Sequence, residues 1–100
     1  MKKAKRAQEA QVLEAIPNVG PAVAADLRQL GIQVPADLTG LDPYILYQRL
    51  CSQTGVIHDP CLLDTFIAVT RFMSGDPPLP WWRYTSERQR TLKGMNRSDS

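Results

Sequence analysis

Two cysteines and the single histidine are the residues best suited to chemistry in this 100-residue sequence. Cys51, His58 and Cys61 lie near one another in the chain, with Asp59 and Asp64 beside them. Thiolate, imidazole and carboxylate groups bind zinc, and a cysteine next to a histidine base can act as a nucleophile. The spacing is not a standard zinc pattern, however, and nothing is placed to orient a catalytic histidine. We therefore predict two free thiols packed in the core and a structural histidine, with no metal, no cofactor and no enzyme activity.

An aromatic group near the end of the chain could also bind a ligand. Trp81, Trp82 and Tyr84 are interleaved with Arg83, an arrangement that can stack nucleobases or line a peptide groove. The proline-rich positions 76–80 before it cannot be helical, because proline lacks an amide donor and restricts the preceding residue. An extended strap of this kind can lay a tryptophan on the core. We predict that Trp81 is such a lid and leave Trp82 open between a buried residue and a contact surface.

Charge is separated along the chain. Nine of the twelve cations lie at positions 1–6 and 83–97, whereas positions 7–82 hold three arginines and eight acids. An acidic body with basic ends can use those ends to hold DNA phosphates, or can carry them only for solubility. Both interpretations stay open. If DNA binds, we expect its affinity to depend mostly on the basic ends.

Length and composition predict one domain. The apolar fraction of 43% and the charged fraction of 22% are typical of globular proteins. No apolar run approaches the roughly 20 residues that cross a bilayer, and the basic start leads into polar residues. We predict a cytoplasmic protein with no membrane partner. Its expected parts are a basic N-terminal tail at 1–7, a folded domain at 8–93 and a disordered polar tail at 94–100.

The same start and stop signals mark three helices that must position these groups. Each begins at a residue followed by proline: Gly20-Pro21, Asp42-Pro43 and Asp59-Pro60. Each ends at a glycine that can form a left-handed cap: Gly31, Gly55 and Gly75. The spacing predicts helices over 21–30, 43–54 and 60–74. The third is apolar on nearly every side and should lie at the centre, with the one-sided second helix packed against it.

Two weaker patterns complete the predicted fold. An apolar edge in a segment rich in Ala, Gln and Glu predicts a helix that ends near Ala15. Ser86-Glu87-Arg88-Gln89 has capping-box spacing and predicts a last helix that ends near Lys93. Positions 34–38 are too short for more than a single turn, and no stretch alternates like a strand. The predicted fold class is all-α, a compact domain of five helices.

The segment before the first long helix has the pattern of a tight hairpin. Ile16-Pro17-Asn18-Val19-Gly20-Pro21 is followed by a helix rich in Ala and then by Leu30-Gly31-Ile32. We expect Asn18 to adopt the left-handed conformation, Val19 to plug the gap between two helices, and Gly20 to be the point of close approach where a side chain would force them apart. The amides that open the next helix could then hold a phosphate through the helix dipole.

This pattern resembles the helix-hairpin-helix element of SAM-like domains. Together with His58-Asp59-Pro60-Cys61 and Pro80-Trp81-Trp82, in that order over about positions 10–90, it resembles the small bacterial pathogenicity-locus family. It is similar also to the C-terminal domain of the competence regulator TfoX. The resemblance implies a helix-hairpin-helix fold and a function connected with DNA.

The predicted function is weak, sequence-independent binding of the DNA backbone without catalysis. The candidate contacts are the hairpin and the basic side chains: Asn18, Val19, Gly20, Ala22, Arg28, Lys2, Lys3, Lys5, Arg6, Arg83 and Arg88. The hairpin lacks the cation that DNA-binding copies usually place just after the second glycine, because Pro21 to Ala25 carry none. The alternative is therefore a protein-interaction module that keeps the scaffold without phosphate binding. The sequence leaves the partner and the oligomeric state open.

Overall fold

Helices account for all the regular structure. The computed structural model describes residues 2–98, with their side chains through residue 94, and contains no strand in that range. Its α-helices are α1 (Pro21–Gln29), α2 (Pro43–Thr54), α3 (Pro60–Met73) and α4 (Thr85–Ser98). Single 3-10 turns lie at Ala7–Glu9, Leu13–Ala15, Pro35–Leu38 and Trp81–Tyr84. The all-α class is confirmed, whereas the predicted count of five helices is not.

Local capping explains where α1, α2 and α3 begin and end. The Asp42 and Asp59 side chains each accept a hydrogen bond of 2.8 Å from a backbone amide of the first turn, and a proline follows each of them. Beyond the helix ends, Gly31, Gly55 and Gly75 have φ of 89°, 72° and 108°. These left-handed caps are nearly free of strain only for glycine, so the predicted helix ends are confirmed.

The predicted N-terminal helix is wrong. Val12 is extended, with φ −132° and ψ 158°, and the chain forms separate 3-10 turns on either side of it. The backbone instead pairs over a longer distance, because the Ala4 N–H donates to the Ala15 carbonyl at 2.7 Å. Ala4 is buried in the core. The basic N-terminal tail expected at 1–7 is therefore attached to the domain through Ala4, while its lysines and Arg6 are exposed. Met1 lies outside the described residues.

The predicted central helix is confirmed as α3. Phe66, Val69 and Phe72 join a large apolar cluster with the N-terminal segment, α1 and α2. Leu63 and Ile67 belong to a second cluster with the C-terminal segment. Residues of α3 thus enter both apolar clusters, with α2 packed against it as expected. This helix also carries Asp64, the one fully buried charged side chain among the residues that the structure describes.

The C-terminal segment departs from prediction at both ends of its helix. The strap at 76–80 is extended, as expected, but the 3-10 turn Trp81–Tyr84 then leads directly into α4 without a capping box at Ser86. The helix extends through residues 94–98, which were expected to be a disordered tail. Asp99 and Ser100 lie outside the described residues. No helix within the described chain is long and apolar enough to cross a membrane.

Candidate nucleic-acid interface

The hairpin between the Leu13–Ala15 turn and α1 has the backbone that its sequence predicts. Asn18 takes the left-handed conformation, with φ 75°, and is the only residue other than glycine to do so in the described chain. Val19 is 1% exposed, and its N–H donates to the Ile16 carbonyl at 3.1 Å. The left-handed conformation predicted for Asn18 is therefore confirmed, and Val19 is buried. The element before it is a 3-10 turn and not the expected helix, so a plug between two helices stays a prediction.

The predicted close approach at Gly20 is wrong. Gly20 is extended, with φ −96° and ψ −175°, a conformation open to any residue. A Cβ added there meets no atom within 4 Å. The reason is that the reversal of the chain takes place at Asn18, so that Gly20 serves only as the residue before α1. Its glycine is not required by strain or by packing.

The start of α1 presents backbone donors to solvent. The amides of Gly20, Ala22 and Val23 donate no hydrogen bond to another described residue, while Ala24 makes the first intrahelical bond, to the Gly20 carbonyl at 2.9 Å. Pro21 and Ala22 are exposed. Unpaired amides at a helix N-terminus, together with the helix dipole, form a favourable place for an anion.

Lys3 brings a cation to this hairpin from the N-terminal segment. Its ammonium group donates to the Glu14 carbonyl at 2.7 Å and to the Val19 carbonyl. Lys2, Lys3 and Lys5 together line an open cavity of about 350 Å³. Arg6 and Lys5 line a neighbouring cavity of about 260 Å³, and Arg6 lies 3.7 Å from Glu9. Of these four predicted contacts, Lys3 reaches the hairpin, while Lys2, Lys5 and Arg6 line cavities of the same N-terminal segment.

Two other predicted contacts are already paired within the fold. Arg28 forms a bidentate ion pair with Glu14, at 3.0 and 2.9 Å, which raises the pKa of Arg28 and lowers that of Glu14. Arg88 binds Asp64, with Nε 2.8 Å from Oδ1, and this hydrogen bond raises the pKa of Arg88. Both guanidinium groups therefore stabilise the fold directly. A phosphate would have to compete with a carboxylate for either one.

The Asp64 network is a feature that sequence reasoning missed. Asp64 is fully buried and accepts hydrogen bonds from Arg88 and from the Thr85 hydroxyl, the latter at 2.7 Å. It joins α3 to the start of α4. The Tyr44 hydroxyl is buried without a hydrogen-bond partner among the described residues. The sequence carried one signal for this network, the acid Asp64 within a mainly apolar helix. A carboxylate buried in such a helix requires a hydrogen-bonding or charged partner.

Asn18 also binds the chain at positions 79–81, where the proline-rich strap leads into the aromatic turn, to the hairpin. Its side-chain NH₂ group donates to the Leu79 carbonyl at 2.9 Å, and its side-chain oxygen accepts from the backbone N–H of Trp81 at 3.2 Å. Trp81 is half-buried and packs on the second apolar cluster, which confirms the predicted lid. Trp82 is 61% exposed and meets Trp81 edge to face, with ring centroids 5.7 Å apart. The hairpin is therefore bound to the backbone just before Trp82, and Arg83 is also exposed.

The cysteines and the histidine do not form a metal site within the described residues. No group of three or more His, Cys, Asp or Glu side chains within it could hold a metal ion. His58 Nε2 lies 2.8 Å from the Thr54 hydroxyl, and Cys51 is half-buried. Cys61 is exposed, so its predicted place in the core is wrong. A hydrogen bond with Asp59 raises the pKa of the Cys61 thiol, which makes it a poor nucleophile at neutral pH.

Comparison with known proteins identifies the family. The family model described as Cdd1, pathogenicity locus, matches residues 6–90. Mitomycin resistance protein McrB of Streptomyces lavendulae is 43% identical over 82 residues, which are 82% of this chain and 78% of that protein. No solved structure matches the chain. The likeness to TfoX stays a prediction, whereas the resemblance to the pathogenicity-locus family is confirmed: the chain belongs to that family.

Proposed function

We propose that this protein is a non-catalytic cytoplasmic binding protein whose hairpin acts as a helix-hairpin-helix and holds the DNA backbone weakly, without regard to sequence. The observation that supports this most directly is the position of Lys3. Its ammonium group reaches the Val19 carbonyl, immediately before the free amides of Gly20, Ala22 and Val23. A phosphate at the start of α1 would meet backbone donors, the helix dipole and a cation at once.

Lys3 compensates for the missing cation in the hairpin sequence. The residues that follow Gly20 are uncharged as far as Asp26, and Arg28, the nearest cation of α1, is paired with Glu14. The N-terminal segment is held by the Ala4 to Ala15 hydrogen bond, so Lys3 is placed beside the hairpin by the backbone. A cation supplied from another segment serves phosphate binding as well as one within the motif, because the Coulomb interaction depends on distance in space and not on position in the sequence.

Both the lack of sequence preference and the weakness follow from this chemistry. Backbone amides and lysines contact phosphates, which carry no base information. The neutralised Arg28 and the acidic body reduce the attraction at longer range, so few counterions are released on binding. The name of the relative, mitomycin resistance protein, is compatible with a binding function, since a protein can confer resistance by sequestering a compound or by shielding its target.

The test is a fluorescence-anisotropy titration of labelled duplex DNA at about 50 and about 150 mM salt. Lys3→Gln removes the cation at the hairpin, and Lys2→Gln is the matched control because it removes the same charge from the next residue. We expect Lys3→Gln to weaken binding about tenfold, the equivalent of roughly 1.4 kcal/mol for a charge-assisted contact, and Lys2→Gln to have less than half that effect in free energy. Ala22→Arg should strengthen binding.

Equal losses for Lys2→Gln and Lys3→Gln would show that the basic segment acts only through its net charge. No binding by the wild-type protein at low salt would reject the proposal. Far-UV circular dichroism of each variant checks that the helical domain still folds. Mitomycin in place of DNA tests whether the relative's named compound is itself a ligand.

A second candidate function, a protein-interaction module, is favoured by one observation. In the turn between α2 and α3, Val56 is 54% exposed and Ile57 is 91% exposed. Exposed aliphatic side chains of this kind occur at protein contacts. If this turn mediates self-association, analytical ultracentrifugation should detect a dimer that Ile57→Ser weakens. A monomer at all concentrations tested would remove that form of the candidate.

A further inference from the structure

The outer face of the last helical segment carries an aromatic residue in line with cations. The 3-10 turn Trp81–Tyr84 continues into α4, and the segment's exposed polar and aromatic side chains are Trp82, Arg83, Ser86, Gln89, Arg90 and Lys93. At roughly 100° per residue in α4 and roughly 120° in the 3-10 turn, these six fall on one side of the segment, opposite the buried Tyr84. We call them the Trp82 stripe.

The cations of the Trp82 stripe are available to a ligand. Arg83, Arg90 and Lys93 make no ion pair with an acid among the described residues. The acid of this segment, Glu87, instead pairs with Arg71 of α3. The acid of the helix is therefore paired with α3, and the three cations of the stripe are exposed. A polyanion that approaches the stripe meets three positive charges without a carboxylate from the same helix.

Trp82 is held firmly although it is exposed. On one side, Trp81 packs on the second apolar cluster, and its backbone N–H donates to the Asn18 side chain. The Trp81 ring meets the Trp82 ring edge to face, with an angle of 86° between the ring planes. On the other side, Tyr84 is 6% exposed and lies in the same cluster. The indole thus stands on a fixed backbone with little entropy to lose when a flat ligand covers it.

We propose that the Trp82 stripe binds single-stranded nucleic acid, with an unpaired base stacked on Trp82 and successive phosphates on Arg83, Arg90 and Lys93. This inference rests on the proposed function for its class of ligand and adds the preference for an unpaired strand. From Trp82 to Lys93 the helical path spans about 16 Å, which a stacked strand covers with roughly five nucleotides. A duplex cannot offer the exposed face of a base to Trp82, because its bases are already stacked.

The composition of the stripe favours this ligand over a membrane or an acidic protein. A helix that lies on a membrane needs an apolar face of several residues, whereas Trp82 is the single apolar member of the stripe. An acidic peptide would satisfy the cations but offers no regular series of flat rings for the indole. Base stacking on an aromatic residue beside cations that track a backbone is the pattern of single-strand binding without sequence preference.

The test compares a labelled oligothymidylate of about 12 nucleotides with a duplex of the same length, on the full chain. Trp82→Ala should weaken oligothymidylate binding about tenfold and leave duplex binding within about twofold of wild type, while Trp82→Phe should keep most of the affinity. Leu92→Ala is the control, because Leu92 is 37% exposed on the same helix but lies outside the stripe. Charge removal by Arg90→Gln with Lys93→Gln should weaken binding and reduce its salt dependence.

Unchanged oligothymidylate binding by Trp82→Ala overturns the inference. So does equal binding of polyglutamate and oligothymidylate, which would show simple charge attraction, or binding of phosphatidylserine vesicles in place of the oligonucleotide. Failure of the proposed hairpin function is distinguishable: in that case Lys3→Gln has no effect on the duplex, while the loss caused by Trp82→Ala on the single strand persists.

Discussion

Removal of one partner from the buried ion pair between Asp64 and Arg88 should destabilise this domain strongly, because the other charge is left enclosed. The Asp64 side chain is fully buried and that of Arg88 is 14% exposed, with Nε and Nη2 at 2.8 and 3.4 Å from the two carboxylate oxygens. Arg88→Met keeps the aliphatic length but leaves the Asp64 charge enclosed with the Thr85 hydroxyl as its remaining bonded partner. Removal of one partner from a buried pair typically costs about 3–5 kcal/mol.

We expect a loss near the lower end, about 3 kcal/mol, because the Thr85 hydrogen bond remains and water can reach the site from the exposed edge of α4. Domains of this size have free energies of unfolding of about 5–15 kcal/mol, so the variant should retain its fold but melt roughly 10–25 °C lower. The measurement is urea unfolding at neutral pH, followed by far-UV circular dichroism.

Two further variants separate pairing from other effects. Arg90→Met makes the same chemical change two residues later on the exposed face and should alter stability by no more than about 0.5 kcal/mol. Asp64→Leu combined with Arg88→Met removes both charges and should recover most of the loss, because a well-packed apolar pair avoids desolvation of the carboxylate. A loss below about 1 kcal/mol for Arg88→Met, or no recovery in the double variant, would refute the reasoning.

Three other predictions concern the hairpin and the start of α3. Gly20→Ala should change stability by less than about 0.5 kcal/mol, whereas Asn18→Ala should cost about 2 kcal/mol or more through left-handed strain and the lost strap contacts; equal urea midpoints would contradict this difference. Capping of α3 lowers the pKa of Asp59. The stabilisation from this cap is therefore present above the pKa of Asp59 in the unfolded chain, and it is lost as the pH falls through the lower pKa of the folded state. Asp59→Asn, which can still cap, should flatten the dependence of the unfolding free energy on pH below about pH 4. Iodoacetamide should modify Cys61 more slowly than it modifies a small thiol at pH 8, because Asp59 is the main cause of the raised pKa of the Cys61 thiol. Asp59→Asn should therefore speed the reaction. An unchanged rate would show that Asp59 does not control the reactivity of this thiol.

Local chemistry explains why much of the fold could be predicted. A proline after Asp42 or Asp59 and a glycine beyond the last turn act within one turn of helix, so α2 and α3 begin and end close to the predicted positions. The apolar faces of α3 indicated its central place for the same reason, because a helix apolar on most sides must be covered on most sides. The left-handed conformation of Asn18 and the burial of Val19 could likewise be predicted. A tight turn needs a residue that tolerates positive φ, and the apolar residue after it packs into the core.

The sequence by itself determined the all-α class, the three central helices, the left-handed turn at Asn18 and the membership of the family. The tertiary structure alone decided which charges remain free: Glu14 neutralises Arg28, Asp64 neutralises Arg88, and Lys3 reaches the hairpin although sixteen positions separate it from Val19. The physical reason is range. Caps and turns involve atoms a few bonds apart, whereas an ion pair or a folded-back segment forms between residues that only the packed core brings together, and no local pattern specifies that distance.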